Sequence, residues 1–125
     1  VRDMPNFYMM IGPQSLNPVT NVTLLCEEQS KYISNLVSRM KDQDLTEVEP
    51  KAEAVARWSE RCTETAQGKV WLRCNNWYTK STKTDEQAGR QRARLMWMES
   101  YEDYLQHLLG EEGGSADDLL QFSHG

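Results

Sequence analysis

From Val22 to Met40 apolar residues return at three- and four-residue steps, and this periodicity constrains the fold more than any other feature of the chain. Val22, Leu25, Cys26, Ile33, Leu36, Val37 and Met40 share one side of a helix, while Glu27, Glu28, Ser30, Lys31, Ser34 and Arg39 take the other. Asn17 offers a side-chain cap and Pro18 a first helical position where the missing N–H costs nothing. The spacing therefore predicts an amphipathic helix of about six turns opening at Asn17-Pro18. Each fully buried Leu, Ile, Val or Met on its stripe contributes about 1.5–3 kcal/mol, so the helix must pack against something substantial.

Before it, "NFYMMI" (Asn6 to Ile11) is predicted as a short strand stopped by Gly12-Pro13, although periodicity alone also allows a buried helical segment. After it, Leu45 to Val48 reads as a second short strand. Lys51 to Gln67 reads as a helix, with Ala52, Val55, Trp58 and Cys62 on one face and Gly68 as its stop. Lys69 to Tyr78 alternates like an extended segment, Thr79 to Arg94 is a polar loop, and "LMWM" is extended again. Ser100 to Leu109 is a short helix whose Ser100 and Asp103 stand at capping-box spacing and whose end is Gly110. Residues 111–125 read as a frayed, disordered tail. The order is mixed α/β, with too few strands for a self-sufficient doubly wound sheet, so an incomplete domain is expected.

With 125 residues the chain fits one domain or one piece of a larger one. A net charge of −5 argues against nucleic acid or an anionic membrane as partner, since both need clustered Lys and Arg. No apolar run reaches the ~20 residues that span a bilayer. Cys26, Cys62 and Cys74 are odd in number and without a CxxC spacing, which fits reduced thiols in a cytoplasmic protein. His107 and His124 stand alone, so no metal site is expected. Asn21-Val22-Thr23 has the form of a glycosylation sequon, but it falls in the predicted helix. The first residue is Val1, which points to a processed end or the tail of a longer reading frame.

A strand running through Gly-Pro into a helix start presents unpaired N–H groups and the positive end of a dipole, a place that suits an anion or the electronegative edge of a ligand. An ordinary connection with no ligand has the same pattern. There is no G-x-G-x-x-G and no GK[ST], and Ser15 lacks the G-x-S-x-G context of a nucleophile. Glu27-Glu28 and Glu111-Glu112 read as a solvated helix face and a tail. Trp58 fits the core face of the second helix. Trp77, in "CNNWY", either caps a pocket or covers a sheet end.

"PNFYMMIGPQSLNPVTNVTLLCEEQSKYI" followed by "CNNWY" resembles the C-terminal part of flavin-dependent Baeyer–Villiger monooxygenases. The shared elements are Pro5-Asn6, Gly12-Pro13, Thr20-Asn21, Glu28-Gln29 and Trp77-Tyr78, in the family's order and spacing. The resemblance covers Pro5 to Tyr78 and weakens beyond. It implies FAD and NADPH as cofactors, a ketone as substrate, and the missing N-terminal part of the same enzyme as partner. It divides the chain into residues 1–44, the last strand and helix of an FAD-binding domain; 45–110, an α+β segment with a lid-like loop; and the tail, 111–125. Position by position, it implies that Gly12, Pro13, Asn21 and Val22 lie near the flavin's pyrimidine edge. By the same token Asn17, Pro18, Val19 and Thr20 border the substrate pocket, and Trp77 lies close to the nicotinamide. A helix start stabilises the charge of a reduced flavin by about 0.3–1 kcal/mol, up to ~2 when partly buried. No residue is an assignable acid, base or nucleophile. The alternatives are a stand-alone, non-catalytic interaction domain and a C-terminal piece of another flavin monooxygenase.

Overall fold

A computed structural model describes residues 1–15, 17, 20–69, 96–109 and 116–124. Within them the chain forms α1 (Val22–Asp42), β1 (Glu47–Pro50), α2 (Ala52–Ala66), α3 (Tyr101–Leu109), α4 (Ala116–Leu119) and β2 (Leu120–Ser123). The α/β class expected from the sequence is present. Among the described residues its sheet is two-stranded, with β1 and β2 antiparallel and Val48 opposite Phe122.

The long helix forms but starts later than its Asn-Pro signal. Asn21 is the cap: its side chain accepts from the Thr23 N–H at 2.9 Å. Asn17 does not cap, because it is buried and its amide donates to the Glu99 carbonyl at 2.5 Å. Arg39 and Lys41 stand in the last turn, where cations favour the helix dipole. The face that α1 buries is Leu25, Gln29, Leu36 and Met40, whereas Val22 and Val37, placed on the apolar stripe by periodicity, are about half exposed.

No strand forms at Asn6 to Ile11. Turns stand at both ends of the segment, with positive φ at Asn6 and Ile11 and, just outside, at Asp3 and Gln14, and such residues break an extended run. A strand also needs a ladder partner for its backbone. Here only Asn6 meets one, giving its N–H to the Val48 carbonyl at 3.0 Å. The Asn6 amide does the rest, donating to the Thr46 carbonyl (2.9 Å) and accepting from the Val48 N–H (3.1 Å).

The second strand and second helix stand close to their predicted places. Gly68 follows α2 at φ +75, the left-handed conformation in which glycine ends helices. Ser100 caps α3 as its spacing predicts: Oγ accepts from the Asp103 N–H at 3.1 Å and donates to the Asp103 carboxylate at 2.7 Å. The extended segment from Val70 to Tyr78, with its Cys74 and Trp77, and the Thr79 to Arg94 loop lie outside the described residues.

The expected tail is the main correction. Residues 116–123 turn through α4 and return as β2, where Leu120 and Phe122 pack on Leu36, Met40 and Val48. An apolar residue at every second position gives this stretch one face to bury, and the free edge of β1 supplies its hydrogen bonds. A second core cluster lies at the other end of α1. It comprises Leu25, Cys62, Trp97 and Tyr104, with Ile11, Trp58, Tyr101 and Leu105 packed around it.

Candidate functional site

The turn from Ile11 to Ser15 is the best-defined polar construction among the described residues. Its start is conformationally costly, because Ile11 sits at φ +51, where a β-branched residue is rarely found. The Ile11 N–H donates to Gln29 Oε1 at 2.8 Å, and Gln29 Nε2 donates to the Tyr104 hydroxyl at 2.8 Å. Gln29, only 6% exposed, thus has both ends of its amide bonded inside the protein. Ser15 Oγ donates to the Gly12 carbonyl at 2.7 Å. Burial raises the Tyr104 phenol above its ordinary pKa, and the bond it accepts from Gln29 partly opposes that shift.

A Cβ at Gly12 would stand 2.9 Å from Met9 Cγ and Sδ, so the methionine side chain lies over the turn, and being half exposed it could shift to relieve that contact. Gly12 and Pro13 face an open groove of roughly 550 Å³, lined also by Tyr8, Tyr32, Ile33 and Trp58.

The sequence-predicted site residues divide four ways. Gly12 and Pro13 are on the groove. Thr20, Asn21 and Val22 are together at the start of α1, with Asn21 and Val22 exposed and Thr20 half-buried. Asn17 is inside, 2% exposed, with its amide used on Glu99. Pro18, Val19 and Trp77 lie outside the described residues. Sequence reasoning missed Gln29 and Tyr104 as partners of the turn. The signal was present at Gln29, a polar residue in helical phase with Leu25, Leu36 and Met40. Glu27 and Glu28 form the expected solvated face, and both bridge to Lys31, at 2.9 and 3.0 Å. Among the described residues no cluster of His, Cys, Asp or Glu could hold a metal ion, and no helix is long and apolar enough to cross a membrane.

No established family profile matches the chain. It is 32% identical over 75 residues to a Baeyer–Villiger monooxygenase of Pseudooceanicola batsensis, which covers 60% of this chain and 13% of that protein. It is 30% identical over 81 residues to 2-oxo-Delta(3)-4,5,5-trimethylcyclopentenylacetyl-CoA monooxygenase of Pseudomonas putida, covering 65% of this chain and 15% of that one. Its fold superimposes on cyclohexanone monooxygenase from Rhodococcus sp. Phi1, solved with NADP+ bound. The TM-score is 0.79 at 24% identity, over 99% of this chain and 22% of the other. The fold is thus that of part of a flavoprotein monooxygenase. Within that class, the chain is homologous to a segment of the Baeyer–Villiger monooxygenases. It spans less than a sixth of the length of these two sequence relatives.

Proposed function

We propose that this chain is the C-terminal portion of an FAD- and NADPH-dependent monooxygenase that inserts oxygen beside a ketone carbonyl. The single observation that carries this reading is the continuous match: nearly the whole chain superimposes on about a fifth of a cyclohexanone monooxygenase. The surface supports it too. Val1, Met4, Phe7, Met9 and Met10 expose 41–50% of their area, an apolar set that further protein would cover.

We read the residues present as one edge of a flavin site rather than a whole one. Gly12 and Pro13 offer backbone without bulk at a groove that α1 lines with Gln29, Tyr32, Ile33 and Leu36, and the N-terminus of that 21-residue helix is capped by Asn21 and flanked by Thr20 and Val22. When bound, FAD with NADPH supplies the redox chemistry. In this reading Gly12, Pro13, Asn21 and Val22 border the ring's pyrimidine edge, and the dipole of α1 favours negative charge there. Thr20, Pro18 and Val19 border the ketone, and Trp77 holds nicotinamide and ketone together while excluding water. Asn17 acts at one remove, by tying the turn to Glu99. Residues 1–44 then close the FAD-binding domain, residues 45–110 form a following segment, and the protein works in the cytoplasm.

The test is the DNA upstream of Val1. An in-frame strand–turn–helix carrying G-x-G-x-x-G is expected. A stop codon immediately upstream in the genomic frame would sink the proposal and favour a stand-alone interaction domain. In the complete enzyme, Trp77→Ala is expected to keep its flavin and lose at least about tenfold in ketone turnover, about 1.4 kcal/mol in the barrier.

A further inference from the structure

We infer that Gln29 and Tyr104 form a positioning relay that sets the Ile11–Ser15 turn from helix α3. The inference rests on the reading above for why that turn matters, but the relay itself is a matter of geometry. The hydrogen bonds run from the Ile11 N–H to Gln29 Oε1 and from Gln29 Nε2 to the Tyr104 hydroxyl, while Ser15 Oγ donates to the Gly12 carbonyl within the turn. Gln29 thus accepts from the turn and donates to α3.

Three features make the relay more than packing. Gln29 is a nearly buried amide whose oxygen and nitrogen serve different elements, one the turn and one α3. Ile11 holds a left-handed conformation that a β-branched residue adopts only where surrounding structure enforces it. A second buried amide, Asn17, ties the far side of the turn to Glu99, just before α3. The turn that faces the groove is therefore held from both ends by one C-terminal segment, and undocking of α3 would release it. Gln29 and Tyr104 are positioning residues; neither is assigned contact with a reactant.

The experiment is residue-resolved amide hydrogen exchange on the 125-residue chain, wild type against Tyr104→Phe and Gln29→Met. Tyr104→Phe removes one oxygen and leaves its ring in the aromatic cluster, so it remains informative if Gln29→Met fails to fold. In Tyr104→Phe the Ile11 amide is expected to exchange at least tenfold faster. The Leu45 amide, bonded to the Met40 carbonyl at 2.8 Å in the other cluster, is expected to keep its rate. Unchanged Ile11 exchange overturns the relay. Equal acceleration at Ile11 and Leu45 also overturns it, because that is general loosening. No cofactor enters this measurement, so its failure leaves the flavin reading standing, and a stop codon upstream of Val1 leaves the relay standing.

Discussion

Trp58 and Trp97 stack with ring centroids 4.9 Å apart and planes 16° from parallel, and His107 stands edge-on to both, at 5.5 and 5.7 Å. Trp97 has no exposed surface and gives its indole N–H to the Ser100 carbonyl at 2.8 Å, so one side chain joins α2 to the start of α3. Trp97→Ala is expected to cost about 3–5 kcal/mol of stability. Trp97→Phe keeps a ring against Trp58 and loses the indole bond, while the Ser100 carbonyl keeps the Tyr104 N–H at 3.3 Å, for about 0.5–1.5 kcal/mol. Urea unfolding of the two variants should rank them in that order; equal midpoints would show that the N–H bond, not the stack, carries the contact.

Asn6 replaces a strand with one side chain. Its amide bonds both Thr46 and Val48 while its backbone sits at φ +59, a conformation asparagine tolerates better than most residues. Asn6→Ala loses both amide bonds and strains the backbone, and about 1–3 kcal/mol is expected from the groups left unpaired. Asn6→Gly loses the same bonds without the strain. Thermal unfolding should place Asn6→Gly above Asn6→Ala; the reverse order would mean that the conformation contributes little.

The C-terminal strand shows where the sequence was legible and where it was not. Long-helix periodicity, the Gly68 stop and the Ser100–Asp103 cap were readable because each depends on residues within a few positions. Leu120 and Phe122 alternate with Gln121 and Ser123, but the run is short and follows a Gly-rich, acidic stretch, so local chemistry favoured a tail. What orders it is distant: the β1 edge and the Leu36–Met40–Val48 cluster, with Arg39 lying 4.8 Å over the Phe122 ring. Asn6 to Ile11 failed in the opposite direction, since its apolar pattern suited a strand but the described residues give it no ladder partner beyond Asn6. Gln29 was in phase with the core, yet its partners Ile11 and Tyr104 lie 18 and 75 residues away.

Removing residues 116–125 should therefore destabilise the chain rather than trim it. Leu120 and Phe122 are partly covered, and full burial of such side chains contributes about 1.5–3 kcal/mol each, so a loss of about 2–4 kcal/mol is expected. Removing Gly125 alone is expected to change nothing measurable. A truncated chain with the wild-type urea midpoint would show that β2 adds no stability.

Burial pushes the Cys62 thiol up to about 12 from an ordinary 9.0. In the unfolded chain the thiol loses its proton near 9, whereas the folded chain holds it until near 12. Between those values the unfolded state binds fewer protons, so folding stability is full below pH 9 and falls as pH rises. The slope is up to about 1.4 kcal/mol per pH unit. The raised phenols of Tyr32 and Tyr104 act in the same direction. Cys62→Ala should make the alkaline decline shallower by about one proton. In the native protein at neutral pH, iodoacetamide should label the half-buried Cys26 well before Cys62, as read by peptide mass. Equal labelling would mean that the α2–α3 core opens readily.

The last expectation concerns the chain on its own. A dinucleotide fold gains most of its hold on FAD at the glycine-rich turn and helix start that bind the pyrophosphate. This sequence contains no G-x-G-x-x-G. What remains for the cofactor is one helix N-terminus and a small-residue turn, and a helix dipole contributes about 0.3–1 kcal/mol, up to ~2 when partly buried. Since tenfold in affinity takes about 1.4 kcal/mol, this edge alone improves binding by a factor on the order of 10. The purified 125-residue protein is therefore expected to be colourless and inactive in ketone-dependent NADPH oxidation. Added FAD should not saturate it at micromolar concentrations, judged by flavin fluorescence. A yellow protein with stoichiometric FAD would mean that the chain holds a complete cofactor site, and the proposal of a C-terminal portion would fall.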